Sequence, residues 1–174
     1  MRAEWELRRR CRRVLNDLEI RPPLDIVDLC RRMGERRGKP IELVPFPIPV
    51  PGPFGAWIAT STTDYILYQR ETTRIHQNHI VVHEIGHIVA GHHSDEQDDT
   101  LMRELSRTSS LPPDVVRRAL RRTCYDTAEE REAETVATII LEWASVLDGL
   151  AAGTSKDGAA ERMGAALTDR LGWL

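Results

Sequence analysis

The sequence predicts an α+β fold: a mostly helical single domain over residues 1–174, with a small antiparallel sheet lying beside a histidine-rich helix. Three observations predict it. A chain of 174 residues can bury one core without disulfides and is short for two. Apolar residues recur at helical spacing over most of its length, whereas strand-like runs bounded by turn residues are confined to residues 41–69. A hydrophobic fraction of 41% with 29% charged residues is the composition of a folded globular chain and excludes intrinsic disorder.

Composition narrows the setting. The sequence contains no run of eighteen apolar residues, so no membrane span is expected. The N-terminal stretch "MRAEWELRRRCRR" lacks the apolar segment of a signal peptide, and the expected location is cytoplasmic. Cys11, Cys30 and Cys124 are an odd number without a CxxC pair. That usage suits a reducing compartment, argues against a thiolate metal site, and leaves the cysteines as small buried hydrophobes.

Residues 1–40 form a basic helical segment, with 12 Lys+Arg against 7 Asp+Glu, while the remainder carries 12 against 20. Over 3–19, Trp5, Leu7, Cys11, Val14, Leu15 and Leu18 keep close to a helical period opposite the arginines. A proline break then leads to a second helix, with Asp25 as N-cap, an apolar face of Ile26, Val27, Leu29, Cys30 and Met33, and Gly38 as stop. Two short helices joined by a turn admit a helix-turn-helix reading, and packing on a core explains the same pattern. With a pI of about 6.1 and an acidic remainder, direct nucleic-acid binding is not expected.

Residues 41–69 hold the sheet. "IELVPFPIPVPGPFG" begins as a strand and must then run extended without ladder bonds from Pro45, Pro47, Pro49, Pro51 and Pro53, a surface loop suited to bordering a groove. "AWIATSTTDYILYQ" reads as a hairpin turning at Ser61 to Asp64. Residues 73–145 carry the chemistry-bearing helices: one from Thr73 to Ala90 with Gly91 as stop, a short one near 100–107, another in "LPPDVVRRALRRTCY", and a long one starting at a Thr127 cap with glutamates in its first turn. A C-terminal amphipathic helix is expected over 158–174.

Five of the six histidines crowd into "HIVVHEIGHIVAGHH" at 79–93. His83 and His87 are four residues apart, so on a helix both imidazoles reach one small cation and supply two corners of a tetrahedron. Glu84, one step round, sits beside such an ion, where a carboxylate takes a proton from water. The flanking Ile80, Val81, Val82, Ile85, Ile88 and Val89 make this helix nearly apolar, and burying two histidines and a glutamate there costs several kcal/mol unless they are paired or metal-bound. The plainer alternative is a core helix whose histidines bond to neighbours without a metal. His79 and His76 fall on or near the same stripe and read as a support for a ligand ring or as groove residues. His92 and His93, past the helix stop, are expected in solvent, with a substrate contact as the other reading.

A catalytic zinc needs a third protein ligand and one open position. In "TAEEREAETVAT", Glu130 shares a helical face with Ala133, Ala137, Ile140, Leu141 and Ala144, whereas Glu129 and Glu132 look elsewhere and read as first-turn acids favoured by the helix dipole. Glu134, one turn on, is placed to accept the second ring N–H of a ligand histidine. Ala133 and Ala137, with Gly86 on the histidine helix, allow a close approach.

"HQNHIVVHEIGHIVAGH" followed some forty residues later by "EREAETVAT" resembles the ImmA/IrrE family of bacterial metallopeptidases, which pair a HExxH helix with a later E-x-E-A-x-x-F-A helix. The likeness covers most of residues 20–145. It implies a minimal zincin-like fold and a zinc site of the thermolysin kind, with His83, His87 and Glu130 as ligands and Glu84 as general base. It further implies a zinc-dependent endopeptidase that cleaves or inactivates a helix-turn-helix transcriptional repressor in a stress or mobile-element response. Val136 stands where the family has an aromatic residue, and "IILEWAS" replaces an apolar run ending in Met-Pro.

Zinc is thus the expected cofactor, with Mn2+ as the alternative, and a protein the expected partner. Donors to a reaction oxyanion are sought among His76, His79, His92, Tyr65, Tyr68 and Tyr125. Competing readings are a non-catalytic regulatory binding protein and the toxin of a toxin-antitoxin pair. An intact Glu84 weighs against the former, because a purely structural site has no use for an acid beside its metal.

Overall fold

The computed structural model describes residues 2–21, 23–48, 52–92 and 125–154. The expected helices at 100–107, in "LPPDVVRRALRRTCY" and at 158–174, with Cys124 and His93, lie outside the described residues. Within them the chain runs α1 (Arg2–Asp17), α2 (Ile26–Arg37), β1 (Ile41–Phe46), β2 (Gly55–Ala59), β3 (Asp64–Gln69), α3 (Arg74–Ala90) and α4 (Thr127–Thr154). The architecture is α+β, and α3 packs chiefly on α4 with the sheet on its other side.

The apolar stripe of α1 buries Cys11 and Leu15, and Leu18 and Ile20 continue it beyond the helix end. Asp25 caps α2 as its position predicts: its Oδ1 accepts from Val27 N at 2.8 Å and Asp28 N at 3.1 Å, satisfying donors that a helix start leaves orphaned. Gly38 closes the helix in the left-handed region, φ 65. All four arginines of α2 are engaged with carboxylates: Arg31 with Asp28 and Glu35, Arg32 with Asp28, Arg36 with Asp17, and Arg37 with Asp64. The helix thereby ties α1 to the sheet, and its basic residues are internally paired.

The sheet departs from the antiparallel expectation. Its order is β1-β3-β2: β2 and β3 form the expected antiparallel hairpin, with Trp57 opposite Ile66, but β1 runs parallel to β3, with Leu43 opposite Ile66. Parallel neighbours require a crossover. Here the chain between β1 and β3 comprises the proline-rich segment and β2 itself, and prolines cannot donate ladder bonds. The buried Gln69 amide substitutes for ladder bonds there, its Nε2 donating to Ile48 O at 2.7 Å and its Oε1 accepting from Ile48 N at 3.2 Å. Asp64, fully buried at the start of β3, meets Arg37 and the Lys39 ammonium, the latter at 2.8 Å, and so locks α2 to the sheet.

Thr73 caps α3, and Gly91 ends it at φ 81. Arg10 of α1 donates to the last carbonyl of α3, Ala90 O, at 2.9 Å. The start of α4 corrects the expected Thr127 cap. Asp126 is the capping residue: its Oδ1 accepts from Ala128 N and Glu129 N, while Glu129 Oε2 accepts from Asp126 N, a reciprocal capping box. The inward face of α4 is the one its periodicity predicts, with Ala133, Val136, Ala137 and Ile140 buried.

Candidate metal centre

Four-residue spacing on α3 sets the His83 and His87 Nε2 atoms 3.2 Å apart. From α4, Glu130 Oε2 lies 3.2 Å from His83 Nε2, and Oε1 lies 3.9 Å from His87 Nε2. Three donors about 2.05 Å from a common ion in a tetrahedron stand roughly 3.3 Å apart, so the two imidazoles already have that spacing and a small shift of the Glu130 carboxylate would complete the set. Among the described residues, His83, His87 and Glu130 form a group that could hold a metal ion, with one ligand atom from each lying within 4.8 Å of the others.

The close approach of α4 is what delivers Glu130. A Cβ on Gly86 would stand 2.5 Å from Ala133 O and 2.9 Å from Ala133 Cα, so only glycine lets the two helices meet here. Its helix-interior cost of roughly 1 kcal/mol relative to Ala is offset by that contact. Glu130 itself sits at the rim with its side chain 47% exposed, while His87 is 1% exposed. The centre is therefore closed on the α3 side and open toward a cleft of about 310 Å³ whose lining includes His83, Glu84 and Glu130.

Electrostatics favour metal binding at His87. Burial, reinforced by the neighbouring His83 and His92 rings, pushes its pKa down to about 3, so the ring is neutral and keeps the lone pair that coordination needs. Glu84 is buried, and among the described residues its Oε2 has no hydrogen-bond partner. Burial, then the Glu130 charge, pushes its pKa up to about 8 against a hydrogen bond from the Trp57 backbone. A buried carboxyl with one oxygen orphaned beside a cluster of metal donors is costly for a purely structural residue and suits one that exchanges protons with a ligand. Room for it comes from Gly55 at the start of β2, where a Cβ would stand 2.8 Å from Glu84 Oε1 and 2.5 Å from Ile80 Cγ2.

Glu134 occupies the place expected of it, with Oε2 3.1 Å from His83 Nδ1 and 3.4 Å from His79 Nε2. The proton on His83 is assigned to Nδ1 on this basis, which leaves Nε2 bare toward His87 and Glu130. His76 lines the cleft, its Nδ1 2.9 Å from Thr72 Oγ1 and its ring 5.2 Å from that of Phe54. Tyr125 stacks on His87 at 3.6 Å between ring centroids. Among the described residues its buried hydroxyl has no partner, and burial, with the negative charges of Glu84, Glu130 and Glu129, holds the phenol protonated far above its ordinary range. Tyr65 and Tyr68 do not line this cleft.

Two placements differ from expectation. His92 is not in solvent: its side chain is 7% exposed, with Nδ1 2.8 Å from His87 Nδ1 and Nε2 3.1 Å from Glu132 Oε2. Glu132, expected to serve only the helix dipole, is thereby tied to the centre. The left-handed Gly91 turns the chain back, so that His92 N donates to His87 O at 3.0 Å and the ring returns over α3. Gly91 is the one sequence signal that pointed to this reversal. No protein-family model matches this chain, and neither a curated protein nor a solved structure does.

Proposed function

We propose that this chain is a zinc-dependent endopeptidase acting on a protein substrate. The observation that carries the reading is the convergence of the His83 and His87 Nε2 atoms and the Glu130 carboxylate beside the orphaned Glu84, at the floor of an open cleft. Two imidazoles and one carboxylate suit zinc, with Mn2+ second. A divalent ion held by these three residues would supply Lewis acidity, polarising a peptide carbonyl and making water near it a stronger acid.

The chain's own groups supply the rest. Glu84 accepts the proton of the attacking water and passes it to the leaving amine, and positive charge beside it favours the carboxylate form that this requires. Tyr125, which lines the cleft with a protonated hydroxyl that has no partner among the described residues, is the proposed donor to a developing oxyanion. His92 is engaged with His87 and Glu132, which favours a supporting role over substrate contact. The edge of the sheet at β2, where Gly55 and Ala56 line the cleft, suits an extended peptide adding as a further strand. A helix-turn-helix repressor as the substrate is the narrower reading, drawn from the sequence resemblance alone.

The test is metal content together with hydrolysis of an unstructured protein and of repressor-like proteins encoded nearby. Glu84→Gln is expected to retain about one zinc per chain and lose turnover roughly 10²–10⁴-fold, and Glu130→Ala to lose metal. Undiminished cleavage by Glu84→Gln, or full metal in Glu130→Ala, would refute the assignment.

A further inference from the structure

We infer that His92 and Glu132 are positioning residues of this centre. They form a hydrogen-bonded chain, Glu132–His92–His87, that holds the His87 ring in the one tautomer able to bind a cation. The inference rests on the metal-centre reading above, and it extends that reading to residues beyond the HExxH motif and its third ligand.

The direction of the chain follows from which atoms can carry protons. His87 turns Nε2 toward His83 and Glu130, so a cation there requires that nitrogen bare and the ring proton on Nδ1. That proton can then only be donated to the atom it faces, His92 Nδ1 at 2.8 Å. His92 must in turn keep Nδ1 bare and carry its own proton on Nε2, which faces Glu132 Oε2 at 3.1 Å. A carboxylate oxygen accepts the hydrogen bond, so Glu132 fixes the sense of the whole chain. Without it, His92 is free to place its proton on Nδ1 and donate to His87 Nδ1, which moves the proton of His87 to Nε2, the atom the cation needs.

The geometry around the chain is built to hold it. The two rings meet edge to face at 5.0 Å, and Tyr125 stacks on a face of the His87 ring at 3.6 Å. His92 is placed by the Gly91 reversal, and Arg10 holds Ala90 O at the end of α3. The second ligand histidine has a separate support, since His83 Nδ1 meets Glu134 directly. A five-residue stretch of α4 therefore provides a ligand in Glu130, a support for His83 in Glu134, and, through His92, a support for His87 in Glu132. Such partners orient ligand rings and fix their tautomers, and their loss weakens metal binding by about 10–100-fold.

The experiment titrates the metal-free full chain with zinc against a chromophoric chelator, for the wild type, Glu132→Gln, His92→Phe, the double variant and Glu130→Ala. Glu132 is half exposed, so Glu132→Gln leaves the packing intact even if His92→Phe disturbs it. Each single variant is expected to bind zinc about 10–100-fold more weakly, and the double variant no more weakly than His92→Phe alone, because one chain is broken either way. Imidazole 15N spectra of the metal-free form should show His92 bare at Nδ1 and protonated at Nε2, with that pattern lost in Glu132→Gln. Wild-type affinity in both single variants while Glu130→Ala binds weakly would overturn the chain and leave the centre standing. Unchanged binding in Glu130→Ala, or no binding by the wild type, would overturn the centre and the chain with it.

Discussion

Replacing Gly86 with alanine tests whether helix contact, rather than motif letters alone, makes the metal centre. The added Cβ would stand 2.5 Å from Ala133 O, where ordinary contact begins at 3.4 Å. Relief requires α3 and α4 to part by about 0.9 Å, since backbone atoms have no rotamer with which to yield. Glu130 lies less than one turn from Ala133 and moves with it. Metal–ligand distances tolerate about 0.2 Å, so the carboxylate is pulled off its ligand position and zinc affinity should fall by at least about 10–100-fold.

Stability should change far less than affinity. Overpacking costs about 1–3 kcal/mol, while exchanging a helix-interior glycine for alanine returns roughly 1 kcal/mol. The metal-free variant should therefore melt within several degrees of the wild type. Zinc at about a hundredfold over the wild-type Kd adds about 2.7 kcal/mol to the wild type and correspondingly less to a weaker binder. The assay is thermal melting of both proteins with and without zinc, alongside chelator competition. An alanine variant with wild-type affinity and the full zinc-induced shift would refute the claim that the glycine contact delivers Glu130.

The raised Glu84 and lowered His87 predict how the chelator-treated protein responds to pH. Glu84, at about 8 when folded against 4.5, keeps in the native state a proton that the unfolded chain releases, so its contribution is complete below 4.5 and is lost as pH rises toward 8. His87, at about 3 against 6.5, works in the opposite sense: stability is lost as pH falls from 6.5 toward 3. The two offset one another between 4.5 and 6.5, and stability then drops toward pH 8 by up to about 1.4 kcal/mol per unit. Denaturant titrations across pH should show Glu84→Gln without that alkaline drop, and parallel wild-type and variant curves would count against a buried, protonated Glu84. For the cysteines, burial pushes Cys11 up to about 11 and Cys30 up to about 12, so neither should react with a disulfide reagent at pH 8 until the protein unfolds. Rapid native-state labelling of either, read by mass spectrometry, would contradict their place in the core.

Some of this architecture was legible because it is written in local spacing. Asp25, Gly38 and Gly91 mark helix ends through their own side chains or backbone freedom, and each does so where expected. The apolar face of α4 could be read from its period alone. The Asp126 cap is not legible because Thr127 is also a capping residue, and the choice depends on which backbone carries the extended conformation. Parallel β1 was missed because strand direction is set by the route of the connection, and composition says only that the proline-rich segment cannot pair. The burial of His92 is not legible, because a helix stop shows that the chain turns without showing what it turns toward.

The sequence by itself determined the two imidazoles one helical turn apart, the acid beside them and the helical face that presents Glu130, because the α-helix converts a separation of three or four residues into a fixed distance. Only the tertiary structure decided how close α4 comes to α3 and that Gly55 leaves room for Glu84. It alone joined His92 to Glu132. Those are distances between segments far apart in the chain, set by which side chains are missing at the contact and by the direction of a turn, and no local periodicity encodes them.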